Sequence, residues 1–105
     1  MISNQHGELP GSRDDATAVL HGDKMYLFGG FSHGIKTNSV YCFNFMNNEW
    51  TLIWSPEVFM NGPSPRSGHS AIIWEGKMVI FGGIDDTLQR LNDTWIFSLE
   101  TFEWC

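Results

Sequence analysis

One seven-residue pattern occurs twice in this chain, as KMYLFGG at residues 24–30 and as KMVIFGG at residues 77–83. Each copy is a short, alternating apolar run that ends in two glycines, which is the pattern of a β-strand leading into a sterically crowded exit. A block that recurs at a fixed separation indicates a repeat architecture, so the two halves have to be compared before any single residue is given a role.

Twelve identical residues align in order between the two halves. At an offset of 53 the matching residues of the first half are Pro10, Arg13, Ala18, Lys24, Met25, Phe28, Gly29 and Gly30. One residue is then inserted in a loop, and at an offset of 54 the matches are Asn38, Phe43, Glu49 and Trp50, with Tyr41 falling on Trp95. Identities in this order, with a single gap at a loop, indicate that one unit has been duplicated.

Four short strands are predicted in each unit. In the first unit they cover residues 16–20, 25–28, 39–45 and 50–54. In the second unit they cover residues 69–74, 77–81 and 93–99, followed by a last strand that stops at residues 104–105. No segment shows a sustained helical period, and the connections are too short for crossover helices. The strands must therefore pair as antiparallel meanders, which predicts an all-β fold.

The charge and hydropathy of the chain narrow the range of partners. Six Lys and Arg stand against twelve Asp and Glu, a formal net charge of −6, without the clustered cations that phosphate binding requires. No apolar run approaches the roughly 20 residues of a membrane-spanning helix, and the N-terminal residues lack the apolar core of a signal peptide. We therefore expect neither a nucleic acid nor a membrane as partner, and a cytoplasmic location with the nucleus as an alternative.

Several short motifs at fixed spacing resemble the kelch repeat, which is the blade of a β-propeller. They are Pro65-Arg66-Ser67-Gly68-His69-Ser70, Phe81-Gly82-Gly83, Leu91-Asn92-Asp93-Thr94-Trp95 and Trp104. The resemblance covers residues 9–105 and implies two four-stranded antiparallel blades that are part of a larger propeller. It divides the chain into an N-terminal tail or interblade linker (1–12), a first repeat (13–54), an interblade loop (55–65) and a second repeat whose last strand is truncated (66–105).

Residues of the structural repeat motif are interpreted as serving the blade, because a position used in every blade is expected to have a role in packing the blade. They are Arg13, Gly29, Gly30, Tyr41, Trp50, Arg66, His69, Gly82, Gly83, Asp93, Trp95 and Trp104. The first unit departs from this pattern twice, with Ala16 at the position of His69 and Ser39 at the position of Asp93. This paired change suggests a hydrogen bond between His69 and Asp93. The alternative is that His69 caps a strand beside solvent.

In a four-stranded meander the connections alternate between the two ends of the sheet, and in this chain the alternation assigns the tight turns to one end and the long links to the other. Tight turns near residues 22, 47, 76 and 100 lie at one end, whereas the longer links 31–37, 84–91 and 55–64 lie at the other, here called the loop face. Loops on a rigid scaffold often carry recognition residues, so we predict that partners bind the loop face. Its candidate residues are Phe31, Ser32, His33, Lys36, Phe59, Met60, Asp85, Asp86, Gln89 and Arg90.

Catalysis and metal binding are not expected from the residue pattern. The four histidines, His6, His21, His33 and His69, have no ligand spacing and fall in a tail, a tight turn, a long loop and a strand start. The acids of the pairs Asp14-Asp15 and Asp85-Asp86 are neighbours on an extended chain, so their side chains point apart. No nucleophile-elbow pattern is present. We therefore expect no catalytic residue, no metal ligand and no cofactor.

The kelch resemblance implies a non-catalytic protein–protein interaction module of the adaptor, scaffold or ubiquitin-ligase substrate-receptor type. The alternative is a metal-dependent or small-molecule-binding propeller whose site is completed by absent blades. Propellers close a ring of about four to eight blades, and two repeats would leave apolar flanks open. We expect further blades in a longer parent chain, in preference to the assembly of several copies into a ring.

Overall fold

The computed structural model describes residues 6–32, 34–56 and 61–105, and these residues form strands joined by turns and loops, with no helix among them. The strands are β1 His6–Gly7, β2 Thr17–His21, β3 Lys24–Phe28, β4 Phe31–Ser32, β5 Ile35–Lys36, β6 Val40–Asn44, β7 Glu49–Trp54, β8 Arg66–Ser67, β9 Ser70–Trp74, β10 Lys77–Phe81, β11 Ile84–Asp85 and β12 Thr94–Ser98. This architecture confirms the all-β fold class predicted from the sequence.

Two sheets, one from each repeat, form the body of the molecule. The first, called blade 1, has the strand order β1-β7-β6-β3-β2, with antiparallel pairing throughout except that β1 runs parallel to β7. The second, called blade 2, has the order β12-β10-β9 and is continued by Trp104 through a bridge to Phe97. These two sheets match the antiparallel blades that the resemblance implies, and the strands described do not close a ring.

The N-terminal strand β1 was not predicted, because backbone pairing along a sheet edge requires no alternation of side chains. Glu8 N donates to Trp50 O at 2.9 Å, and the Glu8 carboxylate accepts a hydrogen bond from Leu52 N at 3.0 Å. The equivalent residue of the second repeat behaves similarly, since Asn61 Nδ2 donates to Trp104 O at 3.2 Å. The segment before each repeat thus covers the outer edge of the blade that follows it.

Two connections predicted as loops contain short strands. Within residues 31–37, β4 and β5 form a small hairpin. Within residues 84–91, Ile84 pairs with Arg90, and β11 pairs with β8 at the start of the second repeat. The loop face is therefore built from hydrogen-bonded hairpins, in which neighbouring backbone groups hold one another in place.

The two blades pack face to face around one apolar core, with β2 and β9 side by side. The buried residues of this core are Val19, Tyr26, Phe28, Val40, Cys42, Trp54, Met78, Ile80, Phe97 and Trp104. Aromatic rings meet edge to face across the junction, with ring centroids of Phe28 and Trp104 5.2 Å apart and those of Trp54 and Trp104 6.1 Å apart. Such pairs add about 0.5–1.5 kcal/mol each beyond their burial.

The glycine pairs allow backbone segments to approach each other closely. A Cβ on Gly29 would lie 2.6 Å from His69 Cε1 and 2.8 Å from Arg66 O, both in blade 2. A Cβ on Gly83 would meet Ser67 O at 2.9 Å within its own blade. Gly29 therefore allows the two repeats to approach each other closely, whereas Gly83 allows a close approach within its own repeat.

The repeated tryptophans have the same packing geometry within each blade. The rings of Phe43 and Trp50 are 4.9 Å apart at an interplanar angle of 48°. Those of Phe97 and Trp104, at the equivalent positions, are 4.9 Å apart at 52°. This pair of rings is thus packed in the same way in both units.

Candidate interaction face

Two neighbouring hairpins of the loop face are joined directly. Lys36 in β5 donates from Nζ to the carbonyl oxygen of Asp85 at 2.7 Å, and its backbone N–H donates to the carboxylate of Asp86 at 3.2 Å. Three of the residues predicted for partner binding are thus in contact, although they come from different repeats. The loops of the two blades form one continuous surface.

The second of these hairpins is held by the side chain of Asp85. One carboxylate oxygen accepts hydrogen bonds from Thr87 N at 2.9 Å, from the Thr87 hydroxyl at 2.6 Å and from Gln89 N at 3.1 Å. The hydrogen bond from the Thr87 hydroxyl is the main cause that lowers the pKa of Asp85 below its usual value. A carboxylate that accepts several hydrogen bonds in this way orders the loop around it.

The structure places the predicted contact residues at different depths. Phe31 is 39% exposed, Asp86, Gln89 and Arg90 are exposed, and Lys36 and Asp85 are half-buried. His33, Phe59, Met60 and the side chain of Ser32 lie outside the described residues. The predicted residues that are both described and open to a partner are therefore concentrated on the hairpin of blade 2.

Two exposed apolar residues of the loop face were missed by the sequence reasoning. Ile35 is 66% exposed and Leu88 is 79% exposed. The candidate set for these loops was dominated by charged and polar side chains. The alignment of the repeats already marked the loop that contains Leu88 as unusual, because residues 84–91 include one residue more than the equivalent loop 31–37.

Beneath the loop face lies an ion pair that was not predicted, between the buried guanidinium of Arg66 and the partly exposed carboxylate of Asp93. The Arg66 side chain is 1% exposed and donates to both carboxylate oxygens of Asp93, at 2.7 and 3.0 Å. Trp95 Nε1 donates to the same carboxylate at 2.9 Å. The hydrogen bonds from Arg66 are the main cause that lowers the pKa of Asp93 to about 2. This pair links β8, at the start of the second repeat, to the residue directly before β12.

The hypothesis of a hydrogen bond between His69 and Asp93 was wrong, because Arg66 and Trp95 occupy the carboxylate. His69 instead joins the two blades, with 2.6 Å between its Nε2 and the hydroxyl of Thr17. Its ring meets that of Phe28 edge to face at 5.0 Å. Burial, together with the positive charge of Arg66, lowers the pKa of His69 to about 4, so this residue is neutral at pH 7.

In blade 1 the equivalent arginine, Arg13, has no carboxylate partner among the described residues. Arg13 donates to Gly29 O at 3.0 Å, as Arg66 donates to Gly82 O at 3.1 Å. Its other terminal nitrogen donates to Pro10 O, its Nε has no hydrogen-bond partner, and its guanidinium lies over the ring of Tyr41 at 5.3 Å. The repeated arginine therefore keeps its backbone contact where the acidic partner has been replaced by serine.

Other features of the described residues do not form a second candidate site. They contain no group of three or more His, Cys, Asp and Glu side chains that could hold a metal ion. A cleft of about 650 Å³ is lined by Trp54, Lys77, Phe102 and Trp104 and lies at the outer edge of blade 2. None of the residues predicted for partner binding lines it. No helix among the described residues is long and apolar enough to cross a membrane.

Comparison with known proteins identifies similar sequences over nearly the whole chain. A family model described as the KLHDC2/KLHL20/DRC7 Kelch-repeats domain matches residues 2–105. The human leucine-zipper-like transcriptional regulator 1 is 34% identical over 103 residues, which cover 94% of this chain and 12% of that protein. A probable serine/threonine-protein kinase of Dictyostelium discoideum is 39% identical over 85 residues, which cover 79% of this chain and 6% of that protein.

Tip elongation aberrant protein 3 of Schizosaccharomyces pombe is 28% identical over 132 residues, covering 99% of this chain and 11% of that protein. The chain thus spans a small part of the length of each of these relatives, between 6% and 12%. The three names describe proteins of different kinds. What the relatives share with this chain is the repeat region.

Proposed function

Because the chain belongs to the kelch-repeat family, we propose that it is a non-catalytic protein–protein interaction module that binds its partner through the loop face. Adaptor, scaffold and ubiquitin-ligase substrate-receptor roles all use a module of this kind, in the cytoplasm or in the nucleus. Kelch domains generally bind proteins, and the connected hairpins of the two blades present a continuous surface for such binding.

A comparison of the two blades identifies a second exposed surface, the flank of blade 2, and indicates what covers it. Phe28 is completely buried by blade 2, whereas its equivalent in blade 2, Phe81, is 51% exposed. Val19 is 8% exposed, and its equivalent Ile72 is 59% exposed. The exposed flank of blade 2 is thus the same surface that a following blade covers in blade 1.

We assign this flank to a further blade, supplied by a longer parent chain or by another copy, rather than to a functional partner. The flank is apolar and strand-based, which suits continued blade packing. The loop face carries mixed polar, charged and apolar side chains that blade packing leaves free. Binding there and ring closure at the flank are therefore compatible.

The proposal is tested with a loop-face variant and a matched variant at the opposite end. The first replaces Asp86, Gln89 and Arg90 by alanine, and the second replaces Asp23, Thr101 and Lys24 by alanine. Each removes one acidic, one basic and one neutral polar side chain, and the ion pair between Asp23 and Lys24 is exposed and long at 3.5 Å, so its loss costs little stability.

Both variants are compared with the unmodified complete protein by quantitative affinity purification from the source cells, after equal thermal midpoints have been established. We expect the loop-face variant to lose a defined set of partner proteins that the matched variant retains. Retention of every partner by the loop-face variant, or equal loss in both variants, would contradict binding at this face.

A further inference from the structure

Leu88 has an unusual combination of properties at the tip of the second hairpin of the loop face. Its side chain is 79% exposed, and its backbone has a positive φ of 65°. A bulky residue is disfavoured in this left-handed region because its Cβ crowds the following carbonyl. Leu88 therefore has neither the burial nor the backbone conformation that usually accounts for a leucine.

The repeat identifies the residue that this position would ordinarily carry. Ile84 pairs with Arg90 as Phe31 pairs with Lys36, and the second hairpin is one residue longer. Counted back from the second strand of each hairpin, Leu88 occupies the position of Gly34. Gly34 also has a positive φ, of 81°. Glycine adopts this conformation without steric cost, and it is the usual last residue of such a hairpin loop. The second repeat thus carries leucine where glycine suits the fold better.

The loop holds Leu88 in one position. Its backbone N–H donates to Asp85 O at 3.0 Å, and that same carbonyl accepts a hydrogen bond from Lys36 of blade 1 at 2.7 Å. The residues on either side, Thr87 and Gln89, both donate to the Asp85 carboxylate. An apolar side chain presented on an ordered loop loses little conformational freedom on binding, which is the property of an interface anchor.

The charges around the loop define the chemistry of the complementary surface. Among the described residues of the loop face and the strand starts beside it, the exposed charged residues are Asp14, Asp15 and Asp86, which are acidic, and Arg90, which is basic. Asp14 belongs to this surface because its backbone exchanges two hydrogen bonds with Phe31, each 2.8 Å long. The acidic excess favours a partner surface that carries cationic groups.

We propose that Leu88 is an anchor that inserts into an apolar pocket, rimmed by Lys or Arg side chains, on a partner protein. This inference rests on the proposed binding at the loop face and specifies how that binding occurs. The leucine supplies the buried contact, and the acidic residues around it meet the rim of the pocket.

The test uses the partner proteins that the complete protein loses when Asp86, Gln89 and Arg90 are replaced by alanine. Each is purified, and its affinity is measured for the unmodified protein and for the variants Leu88→Gly, Leu88→Met and Asp86→Asn. A photo-cross-linking residue, p-benzoylphenylalanine, at position 89 maps the contacted surface. The Leu88→Gly change removes the side chain while providing the residue that the backbone favours, so it separates binding from folding.

We expect Leu88→Gly to weaken binding at least tenfold while the thermal midpoint stays equal or rises, and Leu88→Met to bind within about threefold of the unmodified protein. Asp86→Asn should reduce the salt dependence of the affinity. If Leu88→Gly binds normally while the triple loop variant does not, the anchor is wrong and the loop face stands. If the triple variant also binds normally, both proposals fail. A cross-linked surface without an apolar pocket, or with an acidic rim, would also overturn the inference.

Discussion

The Arg66 guanidinium donates two hydrogen bonds to the Asp93 carboxylate. The equivalent arginine of the first repeat, Arg13, pairs with no carboxylate in the part of the chain that the structure describes. Arg66 is buried, and Trp95 Nε1 donates a further hydrogen bond to the Asp93 carboxylate. In the first repeat serine and tyrosine occupy the positions of Asp93 and Trp95. The duplicated unit thus contains one complete and one incomplete version of the same network.

The stability of the protein should fall when either partner of the complete network, Arg66 or Asp93, is replaced. Asp93→Asn keeps the shape of the side chain but removes its charge, and we expect it to lower the free energy of unfolding by roughly 1–2 kcal/mol, since this carboxylate is 43% exposed. Arg66→Lys should cost more, about 2–3 kcal/mol, because lysine cannot make the paired contact and leaves Gly82 O unsatisfied. Urea unfolding measures both. Equal stability of all three proteins would show that the pair contributes nothing.

The incomplete network offers a stabilising substitution. Ser39→Asp places a carboxylate where the second repeat has Asp93, beside the guanidinium of Arg13, and should raise the free energy of unfolding by about 1 kcal/mol. Ser39→Asn is the neutral control and should have a much smaller effect. A double-mutant cycle with Arg13→Met tests the mechanism, because the gain should disappear when the arginine is absent. A gain that persists in the Arg13→Met background would assign the stabilisation to some other contact.

The two repeats also provide a matched test of the junction between blades. Gly29 and Gly82 have nearly the same φ, 74° and 72°, so an alanine at either position meets similar backbone strain. Only the Cβ at position 29 would collide with the other blade, whereas the nearest atom at position 82 is Leu91 O at 3.2 Å. We expect Gly29→Ala to destabilise the protein by about 2 kcal/mol more than Gly82→Ala in thermal unfolding. Equal losses of stability in the two variants would mean that the close contact between the repeats at Gly29 contributes nothing to stability.

The buried histidine predicts a dependence of stability on pH. The folded pKa of His69, about 4, lies below the ordinary value of 6.5, so protonation favours the unfolded chain. Its contribution is complete above pH 6.5 and is lost progressively as the pH falls toward 4. Between pH 7 and pH 5 the loss should be roughly 2 kcal/mol.

Chemical unfolding measured at half-unit steps between pH 7 and pH 5 checks this dependence. His69→Gln cannot titrate and should flatten the profile, whereas substitution of the exposed His21 by glutamine serves as the control and should leave it unchanged. A steep profile in the His69→Gln variant would assign the effect to other groups. The Asp93 carboxylate enters only at lower pH, since its stabilising effect is present above its ordinary value of 3.8 and is lost toward pH 2.

The strands of the blades were accessible to sequence reasoning because alternation and duplication are local and repeated signals. The prediction of residues 77–81 coincides with β10, and that of residues 93–99 contains β12. The short strands β1, β4, β5, β8 and β11 were not predicted, because two-residue strands carry no period. On the loop face, the contact of Lys36 with Asp85 and Asp86 joins residues about 50 positions apart, which no local pattern specifies.

The order of residues along the chain is enough to establish that one β-sheet unit is present twice, and it predicts that the recurring aromatic residues and glycines serve the fold and that the long links share one end. These properties depend on side-chain order along the chain, which can be read without coordinates. The pairing of Asp93 with Arg66 and the contact of His69 with Thr17 in the other blade emerge only when the chain is folded. The choice between two nearby polar partners depends on the angle at which the blades meet and on side-chain reach, and these are set by packing of the whole core.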